Sequence, residues 1–156
     1  MALTFKTDIT KYARGRRVNM EEWNSITRTA EAAIAFGVPV MPGSGANGVV
    51  TLTNDADKNI LGISEASQVL PHTGDAYAQY DNVAICESGV IAVLLSKAVT
   101  KGAAARFKPS TGGWTDAAQG SDSVTVPGAQ FEEDGASGAI GVVRYRRPVP
   151  SLSANS

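Results

Sequence analysis

The run Asn-Val-Ala-Ile-Cys-Glu-Ser-Gly-Val-Ile-Ala-Val-Leu-Leu-Ser-Lys-Ala-Val-Thr-Lys-Gly, residues 82–102, is the densest β-branched and apolar stretch of the chain. Ser88-Gly89 and Lys101-Gly102 read as turn signals within it, so it predicts two or three strands crossing the middle of a compact β domain. Cys86 on such a strand reads as a small buried hydrophobe rather than a reactive thiol.

Downstream, residues 103–108 read as a strand, and Thr111-Gly112-Gly113-Trp114 reads as a hairpin turn with an aromatic beside it. The acidic, Gly-rich stretch 116–134 holds two short strand candidates, 124–126 and 129–131, and residues 139–145 close the domain as a strand. Upstream, residues 49–53 and 60–63 are strand patterns. Residues 21–36 fit both a helix and one face of a strand. Gly37-Val38-Pro39-Val40-Met41-Pro42-Gly43 decides for strand, because Pro39 and Pro42 remove donors and clash with a preceding helical turn. A helical turn within 20–25 is the one alternative.

The 156 residues correspond to one domain, and 43% hydrophobic with 19% charged content excludes global disorder. Only 6% aromatic residues and 16 glycines imply many short strands packed through Val, Ile and Ala. A single cysteine rules out an intrachain disulfide framework. No apolar run reaches the roughly 18 residues of a membrane span. Lys6 and Asp8 interrupt the start where a signal peptide would be apolar, so synthesis in a cytoplasm is expected.

Net charge is −1, unevenly distributed. Lys6, Lys11, Arg14, Arg16 and Arg17 against Asp8 leave residues 1–17 at +4, while Arg144, Arg146 and Arg147 leave residues 144–156 at +3, so the stretch between carries −8. Basic ends on an acidic body suit termini that grip an acidic surface. Nucleic acid is a poor partner, because the acidic body repels phosphate and no aromatics interleave the arginines. The predicted organisation is an N-terminal arm (1–18), a β domain (19–147) and a C-terminal tail (148–156).

Catalytic and cofactor motifs fail on context. Gly43-Ser44-Gly45-Ala46-Asn47-Gly48 matches G-x-G-x-x-G, yet a strand pattern follows where a dinucleotide site needs a helix, so it reads as a hairpin loop. Residues 54–59 begin like a calcium loop, but Ile60 stands where glycine is needed and Ala66 where a bidentate carboxylate is needed. His72, the single histidine, has no nucleophile context. No enzyme, no cofactor and no metal are expected. A ligand- or carbohydrate-binding β module is the alternative, with Trp23, Trp114, Tyr77 and Tyr80 as stacking candidates.

Two segments echo each other. Residues 33–40 parallel 98–105, each entering a glycine turn and leaving as a strand, and residues 60–63 parallel 139–142. The offsets are 65 and 79, which places 14 additional residues in the later copy and predicts a β-sandwich or barrel with two related halves and extended arms.

Ala-Ile-Ala-Phe-Gly-Val-Pro-Val, Ile-Leu-Gly-Ile-Ser, Glu-Ser-Gly-Val-Ile-Ala-Val, Ala-Val-Thr-Lys-Gly and Ala-Ile-Gly-Val-Val together resemble the capsid cement, or decoration, proteins of tailed bacteriophages, over residues 30–145. The resemblance implies a non-enzymatic β protein on the outer capsid surface of a virion. It would bridge major capsid protein subunits and associate with itself as a homodimer or homotrimer. It supplies no site residues. Combined with the charge pattern, it makes Phe5, Tyr12, Arg14, Arg16 and Arg17 at one end, and Arg144, Arg146 and Arg147 at the other, the expected capsid contacts. Open sheet edges able to accept a neighbour's strand are a second expected source of affinity.

Overall fold

The computed structural model describes residues 13–19, 22–53, 59–67, 74–116 and 122–148. Strands β1 (Asn24–Ala30), β2 (Ile34–Ala35), β3 (Pro39–Pro42), β4 (Gly48–Thr51), β5 (Gly62–Ser64) and β6 (Ala76–Tyr77) precede a long β7 (Asn82–Leu94). Four more follow: β8 (Ala104–Lys108), β9 (Gly113–Thr115), β10 (Val124–Phe131) and β11 (Ile140–Arg146). The protein is mainly β, as its β-branched runs predict. The ambiguous upstream stretch is strand, with Ile26, Thr27 and Thr29 on β1.

β7 belongs to two rings. Its first half pairs with β1 and with β5; β5 pairs with β3, β3 with β4, and β4 returns parallel to β1. Its second half pairs with β11, and pairing continues through β10 and β8 to β9. Trp114 of β9 then returns parallel to Leu95, just beyond β7, with Ser96 N–H donating to Trp114 O at 2.8 Å. Each ring has five strands, antiparallel except at the closing pair. The halves are two small barrels on one shared strand.

Hydrogen bonds show how closely the halves correspond. Glu31 N–H to Val49 O in the first barrel matches Ser96 N–H to Trp114 O in the second, 65 residues later at both ends. Gly37 N–H to Ser64 O matches Gly102 N–H to Phe131 O, both at 2.8 Å, and both glycines have positive φ. The first sequence echo, at offset 65, therefore falls on equivalent strands, β3 and β8. The second does not: residues 60–63 lead into β5, whose counterpart is β10, whereas 139–142 enter β11. Turns of unequal length in the two barrels shift the register between the echoes.

The interior is one continuous cluster. Each barrel centres on an edge-to-face aromatic pair, Phe36 with Tyr77 at 5.1 Å in the first and Phe107 with Trp114 at 5.7 Å in the second. Ile85, Ile91, Val93, Leu95 and Val143 are fully or almost fully buried along the shared strand and its neighbours. Burying one such side chain contributes about 1.5–3 kcal/mol. The middle of the chain is thus shared core.

Two expectations change. Ser88-Gly89 is no turn; β7 runs straight through it. Glycine is needed there because a Cβ would collide with the Trp23 indole ring, and its φ of 153° is one that side chains disfavour. Long open sheet edges are also missing from the described strands, because curling into rings pairs most of them away. The calcium-like residues 54–58, His72, and residues 149–156 of the predicted tail lie outside the described residues.

Candidate functional site

The described residues of the two basic segments, 13–17 and 144–148, lie in or against the domain. Residues 15–18 run along the second half of β7: Gly15 N–H donates to Ala92 O at 2.8 Å, Ala92 N–H to Arg16 O at 2.9 Å and Val18 N–H to Val90 O at 3.1 Å. Gly15 is buried with φ +78°, and a Cβ there would sit 2.8 Å from both Ala66 N and Phe36 Cβ of the first barrel. Only glycine fits a seam that tight.

Arg14 spans that seam. Its Nη2 donates to Gly112 O, in the hairpin between β8 and β9, at 3.1 Å. Burial lowers its pKa, with Asp75 acting in the opposite sense, and Nε is buried without a partner. Arg17 lies 4.4 Å over the Trp23 ring and 3.9 Å from Glu65 Oε2. Trp23 Nε1 donates to Glu65 Oε1 at 2.9 Å, and Ser25 Oγ donates to the same oxygen. The cation–π contact contributes about 0.5–1 kcal/mol at such an exposed site. Together these contacts hold Arg17 and Trp23 over Gly89, where β7 passes from one barrel to the other.

The C-terminal arginines are similarly engaged. Arg144 Nε donates to Glu132 Oε1 at 2.6 Å. Arg147 Nη1 donates to Glu87 Oε1 at 2.8 Å, its backbone N–H donates to Glu87 O at 2.9 Å, and Asn24 Nδ2 donates to Glu87 Oε2 at 3.0 Å. Asn24 and Arg146 both register against Ser88, so the start of β1 and the end of β11 meet at the midpoint of β7. Arg16 and Arg146 are exposed, and no carboxylate among the described residues pairs with them. Phe5 and Tyr12 lie outside the described residues.

Of the four stacking candidates, two are internal and a third is half-buried. Trp114 is fully buried, with Nε1 donating across the seam to Gly37 O at 2.8 Å. Tyr77 is buried, its hydroxyl donating to Glu65 O at 2.7 Å, and Trp23 lies beneath Arg17. Tyr80 alone is open, at 75% exposure. These rings do not form one platform.

Burial raises the pKa of Cys86 to about 12 and that of Tyr145 to about 12, so neither ionises near neutral pH. Among the described residues no three His, Cys, Asp or Glu side chains converge as a metal site, and no helix is long and apolar enough to cross a membrane. What sequence reasoning missed are the acceptors. Glu65, Glu87 and Glu132 engage Arg17, Arg147 and Arg144 through contacts between elements 12–60 residues apart, and no local pattern announces them.

Residues 2–146 match the family model of the structural cement protein (E217 gp24/Pam3 gp6). A chain from the capsid of Myoviridae phage XM1 is similar in fold, with a TM-score of 0.76 at 15% identity over 96% of this chain and 100% of that one. The N base of head fiber gp8.5 of bacteriophage phi29 is a more distant likeness, with a TM-score of 0.48 at 11% identity over 83% and 99% of the two chains. A search of curated proteins returned no match. With the family model covering nearly the whole chain, this protein belongs to the structural cement proteins of phage capsids, and its role is to stabilise the capsid as part of the virion.

Proposed function

We propose that this protein acts as a bridge on the outer surface of the shell, joining neighbouring major capsid subunits without catalysing a reaction. The observation that carries this reading is the doubled barrel. Two units of like strand plan, welded through one 13-residue strand, hold their outer surfaces at a fixed separation, a form suited to spanning a subunit boundary. Each weak contact then acts together with others on the same rigid body, and avidity accumulates.

Within the basic set, Arg16 and Arg146 carry the direct electrostatic contacts, because both are exposed and uncommitted among the described residues. Phe5 and Tyr12 belong to the same contact surface. Arg14, Arg17, Arg144 and Arg147 act as positioning residues that hold the basic segments against β7. An exposed pair contributes only about 0–1 kcal/mol, so attachment rests on many copies. Self-association as a dimer or trimer, and avoidance of nucleic acid by the acidic body, complete the reading.

The test mixes purified protein with expanded shells that lack it. Saturable binding and a higher shell-disruption temperature are expected, with both reduced in the Arg16→Ala/Arg146→Ala variant. Absence of binding at low salt contradicts the proposal.

A further inference from the structure

We propose that Tyr80 is a docking residue: its ring, carried on an acidic end of the first barrel, seats in an apolar recess rimmed by lysine or arginine on a shell subunit. This rests on the shell-binding reading and adds a contact remote in sequence from the basic segments.

The inference comes from two equivalent turns that differ at one position. In the second barrel, the turn before β11 has Gly138 at φ +77°, donating to Leu95 O at 2.9 Å. Ala139 N–H donates to Ala136 O at 3.2 Å, and Ser137 Oγ to Ser96 O at 3.1 Å. In the first barrel, the turn before β7 repeats all three bonds: Tyr80 N–H to Ala30 O at 2.7 Å, Asp81 N–H to Ala78 O at 3.2 Å, and Gln79 Nε2 to Glu31 O at 3.0 Å. Tyr80 has φ +71° and is the one non-glycine with positive φ among the described residues. That region suits glycine and strains a bulky side chain.

The fold does not require this strain, since Gly138 closes the same turn without a side chain. Nor does the ring gain anything inside the domain. Tyr80 is the one exposed large hydrophobic residue among those described, and its side chain makes no hydrogen bond or ring contact with them. Strain retained at an exposed aromatic without an internal partner points to an external one, and tyrosine is a preferred interface anchor.

The surroundings indicate the partner's chemistry. Glu31 and Asp81 lie on the same end, their carboxylates accepting N–H groups of Ser44 and Gly45 and of Ala78 respectively. Exposed Ala32 and Ala33 follow in the facing loop and leave the ring standing clear. At the equivalent end of the second barrel, Ser96 and Lys97 replace Glu31 and Ala32, and no ring is present. Two carboxylates on the end that carries a protruding aromatic complement a basic-rimmed apolar recess.

The experiment titrates wild-type protein, Tyr80→Gly, Tyr80→Asn and Tyr80→Phe onto expanded shells lacking the protein, with thermal melting and solution mass recorded for each. Tyr80→Gly is expected to melt at or above the wild-type temperature and to bind shells at least tenfold more weakly. Tyr80→Asn, another residue tolerated at this backbone angle, is expected to show the same loss should the glycine variant not fold, and Tyr80→Phe is expected to bind as wild type does. Undiminished binding by the Gly and Asn variants overturns the proposal. So does a loss of self-association with shell affinity intact, which would make a second copy the occupant. If the wild-type protein itself fails to bind, the shell-binding reading falls and this inference with it.

Discussion

The two barrels follow one strand plan, yet equivalent positions touch different things. Gly37 and Gly102 occupy the same turn, with φ of +70° and +83°. A Cβ on Gly37 would lie 3.0 Å from Ala92 O, and Gly37 O accepts the Trp114 indole N–H; a Cβ on Gly102 would meet nothing within 4 Å. Glu31 and Ser96 likewise share a position beside a hairpin loop, but only Glu31 places a carboxylate on the loop's N–H groups. The halves differ most where one barrel meets the other and where a barrel meets the outside. The repeated strand plan is the frame, and the seam makes it one body.

The largest expected effect breaks the symmetry at the seam. Gly37→Ala should destabilise the protein by about 3 kcal/mol, combining left-handed backbone strain with crowding against Ala92 and displacement of the Trp114 acceptor. Gly102→Ala carries backbone strain alone and should cost about 1 kcal/mol. Urea denaturation midpoints measure both, and equal losses would remove the asymmetry. Next, Gly89→Ala drives a methyl group into the Trp23 ring and should cost about 2 kcal/mol, with a red-shifted Trp23 emission in a Trp114→Phe background as the side chain leaves its place under Arg17. An unchanged emission spectrum would mean that the ring does not depend on that glycine.

The smallest effect is confined to one loop. The backbone N–H of Gly45, then that of Ser44, holds the Glu31 carboxyl below its ordinary value of 4.5. A depressed folded-state pKa gives stability that is present above 4.5 and is lost as pH falls through the lower folded value. Protection of the Ser44 and Gly45 amides, relative to their intrinsic exchange rate at each pH, should therefore fall on acidification in the wild type and be low at all pH values in Glu31→Ala. The equivalent hairpin beside Ser96 should show no such dependence.

How far this comparison could be read from sequence depended on the range of the signal. β3 and β8 were legible because Gly37 and Gly102 each interrupt an apolar run at the same spacing. β10 was legible only as two fragments, because Pro127 and Gly128 shift its register between Thr125 and Gln130 and rephase its alternation. Gly89 misled because glycine serves two ends, turning a chain and admitting a neighbour, and the neighbour here is 66 residues away. The arginines were legible as two basic segments, but not which of them are paired. That depends on Glu65, Glu87 and Glu132 arriving by strand register, which no local pattern encodes. Tyr80 appeared only as a scattered aromatic until its backbone angle could be set beside that of Gly138.

Density of a shell decorated with this protein tests the central claim most directly. The account predicts each copy on the outer surface across a boundary between two capsid subunits, one barrel on either side and β7 over the junction. A copy seated wholly within the footprint of a single subunit would contradict it.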